Sequence, residues 1–159
     1  MILNDIRAHA ITPALSLLPA RMSSASAEIM LLAITQQEDP DQRRRQWPTG
    51  PARGLWQFER GGGVRGVLNH AASSAHAWAV CAARGVEPDP AAVWAALEHD
   101  DVLAAAFARL LLWTDPKPLP GANDPAGGWS LYERTWRPGR PHPERWAGRY
   151  AAAVREVSA

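Results

Sequence analysis

Cysteine is almost absent from this chain. Cys81 is the single cysteine among 159 residues, so no disulfide can form within the chain. This usage is typical of proteins in a reducing compartment. Because Cys81 lies in an alanine-rich stretch with helical spacing, we expect it to be a buried packing residue.

Long apolar runs and an excess of one charge are also lacking. No stretch approaches the roughly 18 uncharged apolar residues of a membrane-spanning helix, so we expect no membrane insertion. The stretch 1–22 has charged residues ahead of its apolar part and prolines within it, which is not the pattern of a signal peptide. The formal net charge is +1, from 17 basic and 16 acidic residues, and does not support nucleic-acid binding.

The remaining composition is that of an ordinary globular domain. Hydrophobic residues make up 47% and charged residues 21% of the chain, enough to build one core over 1–159. Tryptophan is abundant, with eight residues against two Tyr and two Phe. Each indole has two interpretations, packing in the core or binding the apolar face of a sugar ring.

Helical patterns dominate the sequence. They predict helices over about 5–21, 23–38, 64–85, 88–113 and 142–157, the fourth broken near His99-Asp100-Asp101. Ser23 or Ser24 is a candidate N-cap for the second helix, and Asp89 for the fourth. The Pro- and Gly-rich stretches 115–128 and 137–143 are predicted surface loops. The expected fold is therefore mainly α and single-domain, with a short β-hairpin as an option within 39–60.

Glu38 is the first candidate catalytic residue. Residues three, four and seven apart share a helix face, so Glu38 falls on the same face as Ile34 and Leu31. Poor hydration there and the negative end of the helix dipole both raise the pKa of a carboxyl group. A carboxyl that stays protonated near neutral pH is what a general acid requires. The alternative is a solvated helix-end glutamate with no role.

The stretch Gly50–Gln57 supplies a plausible sugar-binding turn beside that acid. Gly54 permits a tight turn, Leu55 and Trp56 are apolar, and Gln57 carries an amide. An amide at a cleft edge both donates to and accepts from sugar hydroxyl and N-acetyl groups. Leu55, Trp56 and Gln57 are therefore expected to bind substrate.

Together these segments resemble the catalytic core of lytic transglycosylases and goose-type lysozymes. The matching residues are Glu38-Asp39-Pro40 and Ala52-Arg53-Gly54-Leu55-Trp56-Gln57. The resemblance implies a lysozyme-like helical fold. It also implies cleavage of the β-1,4 bond between N-acetylmuramic acid and N-acetylglucosamine, with Glu38 as acid and then base and with no cofactor. Its partner would be the glycan strands of peptidoglycan.

The chain departs from that family pattern in three places. Asp39 stands where the family usually has Ser, and Trp56 stands where it has Met. The later Ala-Tyr-Asn-Ala-Gly element, with its substrate-facing Tyr, is absent as such. Trp113 and Tyr132 are the nearest substitutes, and Tyr132 is preferred because the stretch WSLYERTW is expected to be a loop and not a helix.

A second carboxylate is the remaining catalytic question. Glu59 is the best placed candidate, with Asp39 and Asp41 as alternatives, and it is expected near the substrate. The resemblance implies that a transglycosylase needs none, because the substrate's N-acetyl group assists and its 6-hydroxyl closes an anhydro ring. No histidine pair has the spacing of a metal site. Gly61-Gly62-Gly63 is interpreted as a joint, and Arg43-Arg44-Arg45 as a solvated loop or a contact for anionic peptidoglycan.

Two functions are consistent with this sequence. The first is a peptidoglycan-cleaving enzyme, made in the cytoplasm of a bacteriophage or prophage host and reaching the wall after lysis or within a virion. The second is a non-catalytic module on the same fold. It would use the Trp-rich stretch 113–146 to hold a glycan or a phage particle protein.

Overall fold

The computed structural model describes all residues, 1–159, and confirms a mainly α fold. Nine α-helices follow one another along the chain, with short π-helical and 3₁₀ turns between some of them. They are α1 (Leu3–Ile6), α2 (Thr12–Ser16), α3 (Ala25–Glu38), α4 (Arg65–Asn69), α5 (Ser74–Arg84), α6 (Pro90–Leu97), α7 (Asp101–Trp113), α8 (Pro125–Trp136) and α9 (Pro143–Ser158). None of them combines the length and hydropathy needed to cross a membrane.

Several helix ends lie where the sequence predicts them. Ser24 is the N-cap of α3, and its side chain accepts a hydrogen bond from the Ala27 N–H. Asp89 caps α6 in the same way, and Asp100 caps α7, which places the break in the predicted helix 88–113. Gly85 ends α5 with a left-handed φ of 68°.

The core forms around α3. A single cluster of 37 buried apolar residues spans the chain, in agreement with one domain. Eight residues of α3 are buried on all sides of the helix, so α3 is a central helix rather than an amphipathic surface helix. It packs most extensively against α9 and also contacts α7. Near its C-terminal end, Gln36 and Gln37 donate to the carbonyls of Arg149 and His142 at 3.0 Å and 3.1 Å.

Residues 64–85, which the sequence predicts as one helix, form two helices, α4 and α5. After α4 the chain turns at His70, and α5 begins only at Ser74. The Ser73 hydroxyl donates to the Val67 carbonyl at 2.7 Å and fixes this turn. A serine that bonds the preceding backbone competes with helix formation, which explains the break.

The expected loop around Tyr132 is wrong, because residues 125–136 form helix α8. Asp124 caps it through the Gly127 N–H at 2.9 Å, and Pro125 occupies its first turn. Gly127 and Gly128 suggest a loop, but helix packing explains why residue 128 is a glycine. A Cβ on Gly128 would lie 2.6 Å from Cε2 of Tyr150, so glycine lets α8 approach α9 closely.

The segment 39–60 contains no β-strand. Isolated antiparallel bridges join Arg45 to Arg53 and Arg53 to Phe58. In the second bridge both residues exchange backbone hydrogen bonds at 2.9 Å, so residues 54–57 form a closed turn. The optional hairpin is thus reduced to two bridges.

Candidate active site

Glu38 is the last residue of α3, and the chain leaves the helix directly after it. Asp39 has a φ of −139° and a ψ of 63°, outside the helical region, because the residue before a proline avoids that region. The buried Asp39 carboxylate accepts hydrogen bonds from the N–H groups of Arg43 and Arg44, each at 2.9 Å. Asp39 therefore shapes the loop that follows the acid.

The hydroxyl of Tyr132 donates a hydrogen bond to Oε1 of Glu38. Tyr132 is only 2% exposed, and its ring stacks on Trp146 with a centroid separation of 5.3 Å. Trp129 and Trp136 pack against the same ring. These contacts hold the phenol in one position, so the orientation of the Glu38 carboxyl group is defined.

The environment of Glu38 favours its protonated form. Burial raises its pKa to about 7, and the negative charge of Asp39 acts in the same direction. The Tyr132 hydrogen bond lowers the pKa in part, because it stabilises the carboxylate. Glu38 forms no ion pair with any Arg, Lys or His, so no cation cancels the effect of burial. Burial and the adjacent Glu38 raise the pKa of Tyr132, which remains a phenol and a donor.

Leu55 and Trp56, which the sequence predicts at the substrate, have side chains that are buried in the core. Leu55 is fully buried and Trp56 is 1% exposed. Their polar atoms bond the neighbouring helix. Thr35 Oγ1 donates to the Leu55 carbonyl at 2.8 Å, and Trp56 Nε1 donates to the Leu31 carbonyl at 2.9 Å. The two residues anchor the turn to α3 instead of lining a cleft.

Gln57 lies at the exposed side of that turn. Its φ is 52°, and its side-chain Nε2 donates to the Gly54 carbonyl at 3.0 Å. Gly54 itself has a φ of 82°, and a Cβ there would lie 3.0 Å from the Leu97 carbonyl oxygen, so the turn requires glycine. The Oε1 atom of Gln57 makes no hydrogen bond within the protein, which leaves an acceptor for a ligand.

A cavity of about 620 Å³ opens beside this turn. Gln57, Glu59 and Trp136 line it, together with the glycine-rich turn and further residues from α4, α7 and α8. Glu38 is not among the lining residues. Trp136 links the cavity to Glu38 by way of Tyr132. The ring centroids of Trp136 and Tyr132 are 6.2 Å apart, and Nε1 of Trp136 donates to the Trp56 carbonyl at 2.9 Å.

Two further sequence motifs lie near the site. Gly61, Gly62 and Gly63 belong to a π-helical turn, Arg60–Val64, which is kinked at Gly62, and they also line the cavity. The basic run is engaged by carboxylates. Arg44 contacts both oxygens of Asp101 at 2.8 Å, and Arg45 pairs with Glu98.

The indoles of the Trp-rich stretch 113–146 are buried or half-buried. Trp146 is 3% exposed, and Trp129 and Trp136 are partly buried in the aromatic cluster that joins α8 to α9. Trp113 lies apart, beside Arg21 and Arg109. Trp136 is the one indole of this cluster that lines the cavity. Its i, i+4 spacing from Tyr132 could have revealed it, had residues 125–136 been recognised as a helix.

Comparisons with known proteins add no relative. No family model, no curated protein and no solved structure matches the chain. No three side chains among His, Cys, Asp and Glu converge on a metal-binding position. The candidate site therefore consists of Glu38, Tyr132 and the cavity beside Gln57.

Proposed function

We propose that this protein cleaves the β-1,4 bond between N-acetylmuramic acid and N-acetylglucosamine in peptidoglycan, with Glu38 as general acid and then base. The observation that supports it best is the Tyr132–Glu38 hydrogen bond, in which a partly buried carboxyl without a cationic partner is held by a fixed phenol. Structural carboxylates in proteins are usually paired with cations or several donors. A carboxyl group that is kept protonated and oriented suits proton transfer.

The hydrogen bond from Tyr132 supports a different role for each oxygen of Glu38. Oε1 accepts from Tyr132, so in the neutral acid Oε2 carries the proton. Oε2 would donate that proton to the glycosidic oxygen as the bond to the anomeric carbon breaks. The resulting carboxylate would then take a proton from the attacking group. That group is water in a hydrolase and the substrate's own 6-hydroxyl in a transglycosylase.

The cavity beside Gln57 would hold the sugar chain. Gln57 offers its free amide acceptor, Glu59 is exposed at the rim, and Trp136 presents part of its indole. Few precisely placed polar groups beside an aromatic surface are typical of saccharide sites. Leu55 and Trp56 contribute to this site only by positioning the turn.

The alternative is a non-catalytic glycan-binding or phage-structural module on the same fold. One observation favours it: Glu38 does not line the cavity that would hold the glycan. A binding module has no requirement for a protonated acid, however, and the Tyr132 contact would then serve packing alone. The catalytic proposal accounts for both the acid and its partner.

Digestion of purified peptidoglycan tests the proposal. Wild type, Glu38→Gln and the control Glu87→Gln, an exposed glutamate without an ion pair, are compared by mass spectrometry of the soluble products. Wild type and Glu87→Gln should release muropeptides, and Glu38→Gln should release none. Anhydro products would identify a transglycosylase and reducing ends a hydrolase. Failure of the folded wild type to release products from several wall types would leave the binding module.

A further inference from the structure

A second cavity, of about 630 Å³, lies between the start of α3 and the end of α7. Its wall carries three cations, two hydroxyls and one indole. These residues are Arg21, Arg109, Lys117, Ser24, Ser26 and Trp113. The cavity adjoins the cleft beside Gln57 only at Asp115 and Pro116, which line both.

Arg109 is a buried cation without a counter-ion. It is 3% exposed, and its Nε donates to the Met22 carbonyl at 2.8 Å. Its Nη1 is buried and has no hydrogen-bond partner, and its Nη2 makes no hydrogen bond within the protein. Burial alone lowers its pKa to about 10, because no carboxylate lies close enough to oppose that effect. A buried guanidinium normally pairs with an anion.

Two cations lie beside one indole ring, that of Trp113. The Cζ atoms of Arg21 and Arg109 lie 5.6 Å and 5.5 Å from the Trp113 ring centroid. The ring attracts each guanidinium, but the two positive charges repel one another. Arg21 and Lys117 form no ion pair, so the side chains around the cavity leave this charge uncompensated.

The one acid on the cavity wall is already neutralised. Asp115 contacts Arg134 at 2.6 Å and 3.2 Å and accepts from the Lys117 N–H at 3.0 Å. The start of α3 adds a further positive element. The first N–H groups of this 14-residue helix point out of its end beside Ser24, where the helix dipole is positive.

We propose that this cavity is a binding site for an oxyanion, the carboxylate or phosphate group of a ligand. The planar guanidinium of Arg109 would supply its Nη2 donor from below, and Arg21 and Lys117 would approach from the exposed side. Ser24, Ser26 and the end of α3 complete the donor set. The inference does not depend on the glycosidase proposal.

Calorimetric titration tests it with two probes, inorganic phosphate and acetate, at constant ionic strength near neutral pH. Wild type is compared with Arg109→Met and with the double variant Arg21→Gln/Lys117→Gln, whose exposed positions leave the core intact. Arg155→Gln, an exposed arginine on α9 outside the cavity, is the matched control. We expect Kd to increase about tenfold or more in each cavity variant, because charge-assisted hydrogen bonds are lost, and to be unchanged in the control.

The two probes also identify the ligand group. Binding of phosphate without acetate would assign a phosphate group, and binding of acetate, repeated with a short peptide carrying a free C-terminal carboxylate, would assign a carboxylate. If neither probe binds wild type, or if the double variant binds as tightly as wild type, the proposal is wrong. The double variant keeps this conclusion accessible even where Arg109→Met does not fold.

Discussion

The hydroxyl of Tyr132 and the carboxyl group of Glu38 meet across 94 residues of sequence. The acid comes from the end of α3 and the phenol from the middle of α8. The phenol is fixed from the other side by stacking on Trp146 of α9. Three helices thus define the orientation of the Glu38 carboxyl group. The pKa of Glu38 therefore depends on Tyr132, which need not touch substrate itself.

Tyr132→Phe should alter the pH dependence of peptidoglycan cleavage. The phenol stabilises the carboxylate form, so its removal raises the pKa of Glu38 further. We expect the loss of activity at high pH to move to higher pH. The maximum rate should fall about tenfold, since a hydrogen bond to a charged group contributes roughly 1.5 kcal/mol or more. A pH–rate profile and carbon NMR titration of the Glu38 carboxyl measure both effects.

Tyr150→Phe is the matched control for that experiment. It also removes one phenol hydrogen bond, from the Tyr150 hydroxyl to the Gly121 carbonyl at 2.8 Å, while leaving Glu38 untouched. Its pH–rate profile should coincide with that of wild type. A Glu38 titration that does not change in Tyr132→Phe would show that the phenol has no influence on the acid.

Because of Glu38, the free energy of unfolding should fall as pH rises from about 4.5 to about 7. Its folded pKa of about 7 exceeds the ordinary value of 4.5, so the folded state binds the proton more tightly than the unfolded state. The stabilisation is complete below the unfolded pKa and is lost between about 4.5 and about 7, at most about 3 kcal/mol. Urea unfolding at about pH 5 and about pH 8 measures it. In Glu38→Gln the difference between the two pH values should shrink by that amount; an equal difference would mean that Glu38 is not perturbed.

The sequence allows prediction of those parts of the fold that depend on local chemistry. The caps at Ser24 and Asp89 and the glycine end of α5 are local signals and are confirmed. Helix α8 is missed because Gly127 and Gly128 have low helix propensity, whereas Gly128 is required by the contact with Tyr150. Asp124-Pro125 is a local start signal like Asp89-Pro90 of α6, but the two glycines after it oppose a helix, and only tertiary packing accounts for Gly128.

The candidate site also has some features that the sequence predicts and others that only the folded structure shows. The position of Glu38 at a helix end follows from periodicity, and the turn at Gly54 follows from its glycine. The burial of Leu55 and Trp56 does not, because apolar residues in a turn are equally suited to a core and to a cleft. The Tyr132 contact joins distant segments, so only the folded chain shows it.

Asp39→Asn should destabilise the loop that follows Glu38. The carboxylate accepts from the Arg43 and Arg44 N–H groups with separate oxygens, whereas an amide offers only one acceptor. One of these part-buried N–H groups would lose its hydrogen bond to a charged acceptor, at a cost of about 1–3 kcal/mol in the free energy of unfolding. Urea unfolding of Asp39→Asn and of Asp41→Asn, an exposed neighbour, measures the difference. Equal stability of the two variants would show that Asp39 does not hold the loop.

Gly128→Ala should push α8 away from α9 and so displace Tyr132, which α8 carries. The added Cβ would meet Cε2 of Tyr150 at 2.6 Å, and this buried ring has little room to move. We expect a loss of about 1–3 kcal/mol in the free energy of unfolding, as in other overpacked cores. Gly148→Ala is the matched control, because Gly148 lies on the exposed face of α9 and its Cβ would meet nothing within 4 Å. There the better helix propensity of alanine should stabilise the protein by roughly 0.5–1 kcal/mol.

Since Tyr132 lies on α8, Gly128→Ala should also lower the activity of the fraction that remains folded. Unchanged stability and activity would mean that the close approach of the two helices is not needed to position Tyr132.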